Sequence, residues 1–378
     1  MSGSLVDERP GRLLLSTSRL STRRLTIRRD TTMDTHPQQA SLDLLARADL
    51  LEVAVIRSAA TLGIADALVE GPTTAHEIAA SAASDPDVTA YLLDEMVSRG
   101  LLTVVGSSGA SGDEALYDLT DAAQPLRSDH PLSVRPMLRN DTMLGVSGLS
   151  MMRLDHTVRT GEPSALASGV SFWQQVNIDP VFLPDWQEQA EAADQQGGAL
   201  GWGASLIIDG YDWSNVGHVV DVGGHVGSIS LALLAAHPDL RATLLDFGHP
   251  ATVSRERFER AGLADRAVVV DGDFFTELPA GGDVYLVSAI LADWPDDDTV
   301  RILKRCREAA ASTGGRVLLA EVSMPMDSAS TRLRMRSMMP SPDRSAGELK
   351  ALARAAGLAV RWESPAHPVR TLFELVPA

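Results

Sequence analysis

The order of apolar and polar residues divides the chain into two kinds of pattern. From Ser41 through residue 68, Leu42, Leu45, Leu50, Val53, Ile56 and Leu62 recur at roughly helical spacing, and no glycine interrupts before Gly63. Gly71-Pro72 punctuates that segment. Thr73 or Thr74 then caps a helix reaching about Ser84, and Asp85-Pro-Asp-Val opens another that runs to about Ser98. Gly100 ends it. Leu101 to Val105 read as a short strand, Gly106 to Gly112 as a turn, and Tyr117-Asp-Leu-Thr as a returning strand. Two helices followed by a hairpin predict a winged-helix arrangement. Residues 131–200 continue as helices.

The second half alternates strand and helix. His218-Val-Val-Asp-Val is a short apolar strand, followed by the turn Gly223-Gly-His-Val-Gly227 and a helix from Ser228 to Ala236. Four further strands follow: Arg241 to Asp246, Ala267 to Asp271, Asp283 to Ser288, and Gly315 to Glu321. Helices fill the gaps, notably 251–262 and 297–311. This alternation predicts a parallel, doubly wound sheet, whose ligands lie beyond the carboxyl ends of the strands. The rule selects Gly223, Gly224, His225, Asp246, Asp273, Ser288 and Glu321. A carboxylate at the end of the second strand suits a ribose diol, because two hydroxyls can donate to its two oxygens. Asp273, followed by Phe274 and Phe275, suits an adenine amino group with an aromatic ring beside it. Together these features fit an adenosine ligand; a helix cap or a solvated acid is the competing reading for each carboxylate taken singly.

Composition narrows the classes. The 378 residues are 44% hydrophobic, long enough for two domains. Lys and Arg total 33 against 50 Asp and Glu, a net charge of -17 that disfavours nucleic-acid phosphates and anionic lipid. The helix at 86–98 carries Asp87, Asp94 and Glu95 with only Arg99 beside it, which argues against DNA contact and for a scaffold or dimerisation role. A single cysteine, Cys306, rules out an intramolecular disulfide and points to the cytoplasm. No apolar run is long enough to span a membrane, and the nine histidines show no compact metal spacing. Residues 1–32 hold seven arginines and no lysine; they read as a disordered tail, as translated sequence upstream of a start at Met33, or as a targeting arm. Met143 and Met152, with Phe172 and Trp173, are candidates to line a pocket for a flat organic ligand, against ordinary core filling.

DVGGHVG, LLD at 244–246, GDFF at 272–275, LADWPDDD at 291–298 and GGRVLLAE at 314–321 occur in order. With them the chain resembles, over about residues 42–376, the S-adenosylmethionine-dependent small-molecule O-methyltransferases of plants and of actinomycete natural-product pathways. Behind a disordered Arg-rich extension (1–40), the resemblance implies a homodimer with a helical winged-helix-like dimerisation and substrate-roof domain (41–200) and a Rossmann-like domain (201–378) that binds S-adenosyl-L-methionine. It places Gly223, Gly224 and His225 beside the methionine part of the cofactor, Asp246 on the ribose, and Asp273 with Phe274 at the adenine. Ser288 stands where plant members often carry lysine. The implied reaction is methyl transfer to a hydroxyl of an aromatic or polyketide-like metabolite.

Two departures from the family pattern bear on the chemistry. His225 replaces a customary glycine; its ring hydrogen-bonds the methionine carboxylate, obstructs the cofactor, or turns to solvent. Ala292 occupies the position of the family's catalytic histidine and cannot accept a proton. Asp293 remains beside it, Glu321 matches the first helper glutamate, and Asp343 falls near the second in an altered motif. His156, on a helix the family uses to line the substrate, is an alternative base. General-base catalysis contributes roughly 10²–10⁴-fold, so turnover survives its absence when the reactants are well positioned. The competing reading is a repurposed relative that binds the cofactor but performs hydroxylation, decarboxylation or a pericyclic rearrangement.

Overall fold

The computed structural model describes residues 37–108, 114–164, 172–195, 204–322, 328–365 and 367–378. The chain separates into two units, Met1–Leu51 and Glu52–Ala378. In the first, Pro37–Arg47 is a helix whose Leu42, Leu44 and Leu45 are exposed. The arginine-rich stretch 1–32 lies outside the described residues.

From Glu52 the second unit holds all but the first residue of helix Leu51–Leu62, helices Ala75–Ser81 and Pro86–Ser98, and a small sheet of β1 (Thr73–Thr74), β2 (Leu102–Ser108) and β3 (Glu114–Leu119), in the order β1-β3-β2. Thr74, not Thr73, is the cap: its hydroxyl accepts from Glu77 N–H at 3.2 Å, and the Glu77 carboxylate reaches back to Thr74 N–H at 3.1 Å. Asp85 caps the next helix by accepting from Val88 N–H at 3.0 Å, with Pro86 in the first turn. Val55, Ile64, Ile78, Leu93, Met96 and Tyr117 form the core of this part. The Tyr117 hydroxyl donates to Asp94 at 3.1 Å, tying the hairpin to the helix expected to recognise DNA in a winged-helix binder.

Beyond residue 204 the chain builds a seven-stranded sheet from β4 (His218–Val222), β5 (Arg241–Asp246), β6 (Ala267–Asp271), β7 (Val284–Ser288), β8 (Arg316–Val322), β9 (Leu358–Glu363) and β10 (Arg370–Pro377), ordered β6-β5-β4-β7-β8-β10-β9. The five parallel strands are those the alternation predicts. Their alternating side chains fill two cores. Val220, Val222, Leu245, Tyr285 and Val287 pack with Ile302, Leu303 and Cys306 of helix Asp296–Ala311 on one face. Val219, Leu244, Leu286 and Leu318 pack with Leu233, Leu234 and Phe258 on the other. The register aligns Asp246 with Asp271 and Ser288 with Ala320, so the carboxyl ends of β5 to β8 form one edge. β10 runs antiparallel to β8 with Arg370 opposite Val322, so its first residue stands at that same edge.

Helices Met143–Leu149, Leu154–Thr160, Phe172–Ile178 and Leu183–Gln195 lead toward this edge. Buried Trp186 donates its indole N–H to Val176 O at 2.7 Å, and Asp185 accepts from Met143 N–H at 2.8 Å. These bonds lock the helices to one another and form a core with Val226 and Val253 of the sheet domain. No described helix is long and apolar enough to cross a membrane.

Candidate active site

The loop after β4 turns back over the strand tips. Gly223 N–H donates to Leu245 O at 2.8 Å. Gly223 has φ +70°, and a Cβ there would lie 2.6 Å from Ile290 Cδ1; one on Gly224 would meet Leu244 Cγ at 2.6 Å. Only glycine fits this approach. His225 keeps the left-handed backbone, φ 57°, without being glycine. Its N–H donates to Asp246 Oδ2 at 2.8 Å, its carbonyl accepts from Ser254 Oγ at 2.7 Å, and its ring meets Trp186 edge-on at 4.5 Å. Burial, with the Arg257 cation nearby, pushes its pKa down to about 4. Phe247 N–H donates to the other Asp246 oxygen at 2.8 Å. Burial, reinforced by Asp221 and Asp271, raises the Asp246 pKa to about 7.

Two cavities open over the edge. The smaller, about 450 Å³, is lined by Gly223, Gly224, Asp246, Phe274, Ser288 and Arg370 among others. The larger, about 910 Å³, includes Phe172, Ala292, Glu321, Arg336 and Met339 in its wall. Met143, Trp173, His225, Ala289, Asp293 and Trp294 line both, so the cavities meet there. Burial and the negative charge of Glu321 push the Asp293 pKa up to about 8, while the Trp173 indole donates a hydrogen bond to its carboxyl. Glu321 is buried; one oxygen accepts from Ile290 N–H at 3.1 Å and Leu291 N–H at 3.0 Å. Ala292 presents a methyl group to the larger cavity.

The structure therefore gathers Gly223, Gly224, His225, Asp246, Phe274, Ser288, Asp293, Glu321, Met143, Phe172 and Trp173 around the two cavities. Four expected site residues line neither. Asp273 is exposed, and its carboxylate accepts from Phe275 N–H at 2.8 Å, fixing the turn after β6. His156 faces Glu162 at 3.9 Å. Met152 is exposed, while its neighbour Met151 contacts the Ser337 hydroxyl. Asp343 is exposed; Arg344 turns inward instead and donates to Leu291 O at 2.5 Å and Trp294 O at 2.7 Å.

Sequence reasoning missed Arg370 and Arg344. Arg370 is buried, donates to Ser288 Oγ at 2.8 Å and Ala320 O at 2.7 Å, and reaches the smaller cavity only because β10 is antiparallel. A basic residue opening a final apolar strand was the one available signal for it.

Residues 153–359 match the family model of the O-methyltransferase domain, and residues 48–129 match that of the O-methyltransferase dimerisation domain. The chain belongs to the S-adenosylmethionine-dependent small-molecule O-methyltransferases. It is 40% identical over 336 residues to a 2,7-dihydroxy-5-methyl-1-naphthoate 7-O-methyltransferase of Streptomyces carzinostaticus, covering 87% of this chain and 95% of that relative. It is 33% identical over 336 residues to aclacinomycin 10-hydroxylase RdmB of Streptomyces purpurascens, covering 86% and 87%. The crystal structure of NcsB1, an O-methyltransferase from neocarzinostatin biosynthesis, in complex with S-adenosyl-L-homocysteine and 1,4-dihydroxy-2-naphthoic acid, superposes with a TM-score of 0.71 at 38% identity, covering 89% of this chain and 98% of that one. The methyltransferase falls in the actinomycete natural-product branch, and S-adenosylmethionine is its cofactor. The reaction of the matched family is methyl transfer to oxygen.

Proposed function

We propose that the methyltransferase accepts a flat, hydroxylated aromatic of hydroxynaphthoate size in the larger cavity and holds S-adenosylmethionine in the smaller one. The junction at Met143, Trp173, His225, Ala289, Asp293 and Trp294 carries this reading, because a methyl group passing between two ligands needs one continuous space. Gly223 and Gly224 admit the methionine backbone, Asp246 takes the ribose hydroxyls, and Phe274 covers the base; the close approach of the glycines and the carboxylate at the tip of β5 suit that ligand. The bound cofactor supplies an electrophilic methyl on a cationic sulfur. Met143, Phe172 and Trp173 confine the acceptor. Asp293 lines the junction, and Glu321 holds the turn that carries it by accepting from the two backbone N–H groups at the start of that turn. The proposed assembly is a homodimer in the cytoplasm. Within the dimerisation region, Val88, Tyr91, Val104 and Val105 are exposed, and a second copy of the chain is the proposed cover.

A second reading, a non-methylating reaction on the same scaffold, is favoured by Ala292 and by the likeness to the 10-hydroxylase. Incubation with hydroxynaphthoates and methyl-labelled S-adenosylmethionine separates the two. Label in an aryl methyl ether supports methyl transfer; turnover to an unlabelled product supports the second reading. Calorimetric titration with S-adenosyl-L-homocysteine tests the smaller cavity. Asp246→Asn is expected to weaken binding about tenfold, the scale of one charge-assisted hydrogen bond, and an unchanged affinity would remove Asp246 from the ribose.

A further inference from the structure

Methylating a hydroxyl requires that its proton leave, so each ionisable group at the cavities bears on which atom receives it. Most are already engaged. Asp246 has an N–H on each oxygen, from Phe247 and from His225. Glu321 accepts two backbone N–H groups. Asp293 accepts from Trp173, and with its pKa near 8 it retains its proton at neutral pH. At the rim, Asp296 is paired with Arg344 at 2.7 Å and Asp298 with Arg301 at 2.6 Å. Glu162 is largely exposed and faces His156.

His225 differs from all of these. Its backbone is fixed on both sides by Asp246 and Ser254. Its imidazole packs on Trp186 but makes no hydrogen bond among the described residues, and it lines both cavities where they meet. The left-handed backbone favours glycine, yet this chain places an imidazole there. Burial around the ring, with the Arg257 cation reinforcing it, keeps it neutral, while Asp246 accepts from its backbone and Asp293 lines the same junction.

We propose that His225 is the proton acceptor for the substrate hydroxyl, placed on the cofactor turn rather than on the turn that carries Ala292. This rests on the methyl-transfer reading above. The hydroxyl oxygen forms its bond to the methyl carbon as the carbon–sulfur bond breaks and leaves its electron pair on sulfur. The hydroxyl proton passes to the open ring nitrogen of His225, and the imidazolium then releases it to water. A weakly basic imidazole serves an acidified aromatic hydroxyl best, so the rate should depend on the acceptor's acidity.

His225→Asn tests the proposal, because asparagine tolerates a left-handed backbone and keeps hydrogen-bonding capacity without basicity; His225→Gly is the companion variant. With a weakly acidic naphthol, both should lose about 10²-fold in kcat, while a nitro-substituted naphthol that is already ionised should lose little. Affinity for S-adenosyl-L-homocysteine is measured alongside, because His225 also lines the smaller cavity, and any loss there should be the same for both acceptors. In the S-adenosyl-L-homocysteine complex, without turnover, the visible phenolate band of a bound nitronaphthol titrated through its own pKa should move to lower pH in the Asn variant, because a neutral imidazole accepting from the hydroxyl favours the protonated phenol whereas the asparagine amide can donate to the phenolate. Equal kcat losses for both acceptors, an unmoved phenolate titration, or a defect confined to cofactor affinity would each overturn the assignment. Wild-type protein that transfers no label at all would instead overturn the methyl-transfer reading on which it rests.

Discussion

At the scale of the residue, three neighbours at the strand tips are held by different forces. Gly223 is fixed by sterics, His225 by its backbone bonds, and Asp246 by the donors it accepts. Gly223→Ala combines a left-handed backbone with a Cβ 2.6 Å from Ile290. It is expected to destabilise the protein by about 1–3 kcal/mol, read by urea unfolding, and to weaken S-adenosyl-L-homocysteine binding in parallel. Unchanged stability would mean that the Ile290 side chain yields freely. Residue identity made some of this legible: glycines after an apolar strand and an acid closing the next are signals in the chain itself. Facing was not. Met151 and Met152 are both apolar and adjacent, and helical rotation turns the first toward Ser337 and the second to solvent. Asp273 and Asp343 have the expected residue type, but local turns leave their carboxylates outside the cavities.

At the scale of the element, the short turn Leu291–Asp293 is the part most dependent on support from elsewhere. It is a single 3₁₀ turn carrying Ala292 and Asp293, and a piece that short does not hold itself. Glu321 at the end of β8 binds it from one side, and Arg344, its side chain 8% exposed, binds its carbonyls from the other. Arg344→Met removes charge-assisted bonds to two carbonyls and to Asp296. Its expected effect is a stability loss of about 2 kcal/mol and a larger fall in kcat than in S-adenosyl-L-homocysteine affinity, measured by thermal unfolding, steady-state kinetics and calorimetry. Equal falls in both would place the defect in the whole cofactor edge. The alternation of the second half foretold the five parallel strands because each βα unit buries its own apolar pattern. The antiparallel pair β9 and β10 has the same local composition, and its direction is set by pairing with β8.

At the scale of the whole molecule, burial of carboxyls at the strand tips should shape stability against pH. Asp221, Asp246 and Asp293 are raised to about 6, 7 and 8 from an ordinary 3.8. Between 3.8 and those values the native state holds protons that the unfolded chain has released, so their contribution falls as pH rises. His225, lowered to about 4 from 6.5, acts oppositely: its contribution falls as pH drops below 6.5. From pH 6.5 to 8 the raised carboxyls prevail, and the ligand-free protein is expected to lose about 2 kcal/mol. Urea unfolding at the two ends of that window checks this; stability that holds or rises with pH would show that the carboxyls ionise freely in the native fold.

The chain alone determined the winged-helix-like first part, the parallel strands, the glycine turn and the acid at the tip of β5. Each of these is a local matter of period, cap or turn chemistry. Tertiary structure decided which groups share a cavity. It set His225 against Trp186 from a helix some 40 residues earlier, brought Arg370 to Ser288 across a strand reversal, and left His156 outside both cavities. A period specifies a face, but the partner on that face comes from packing between segments distant in the chain.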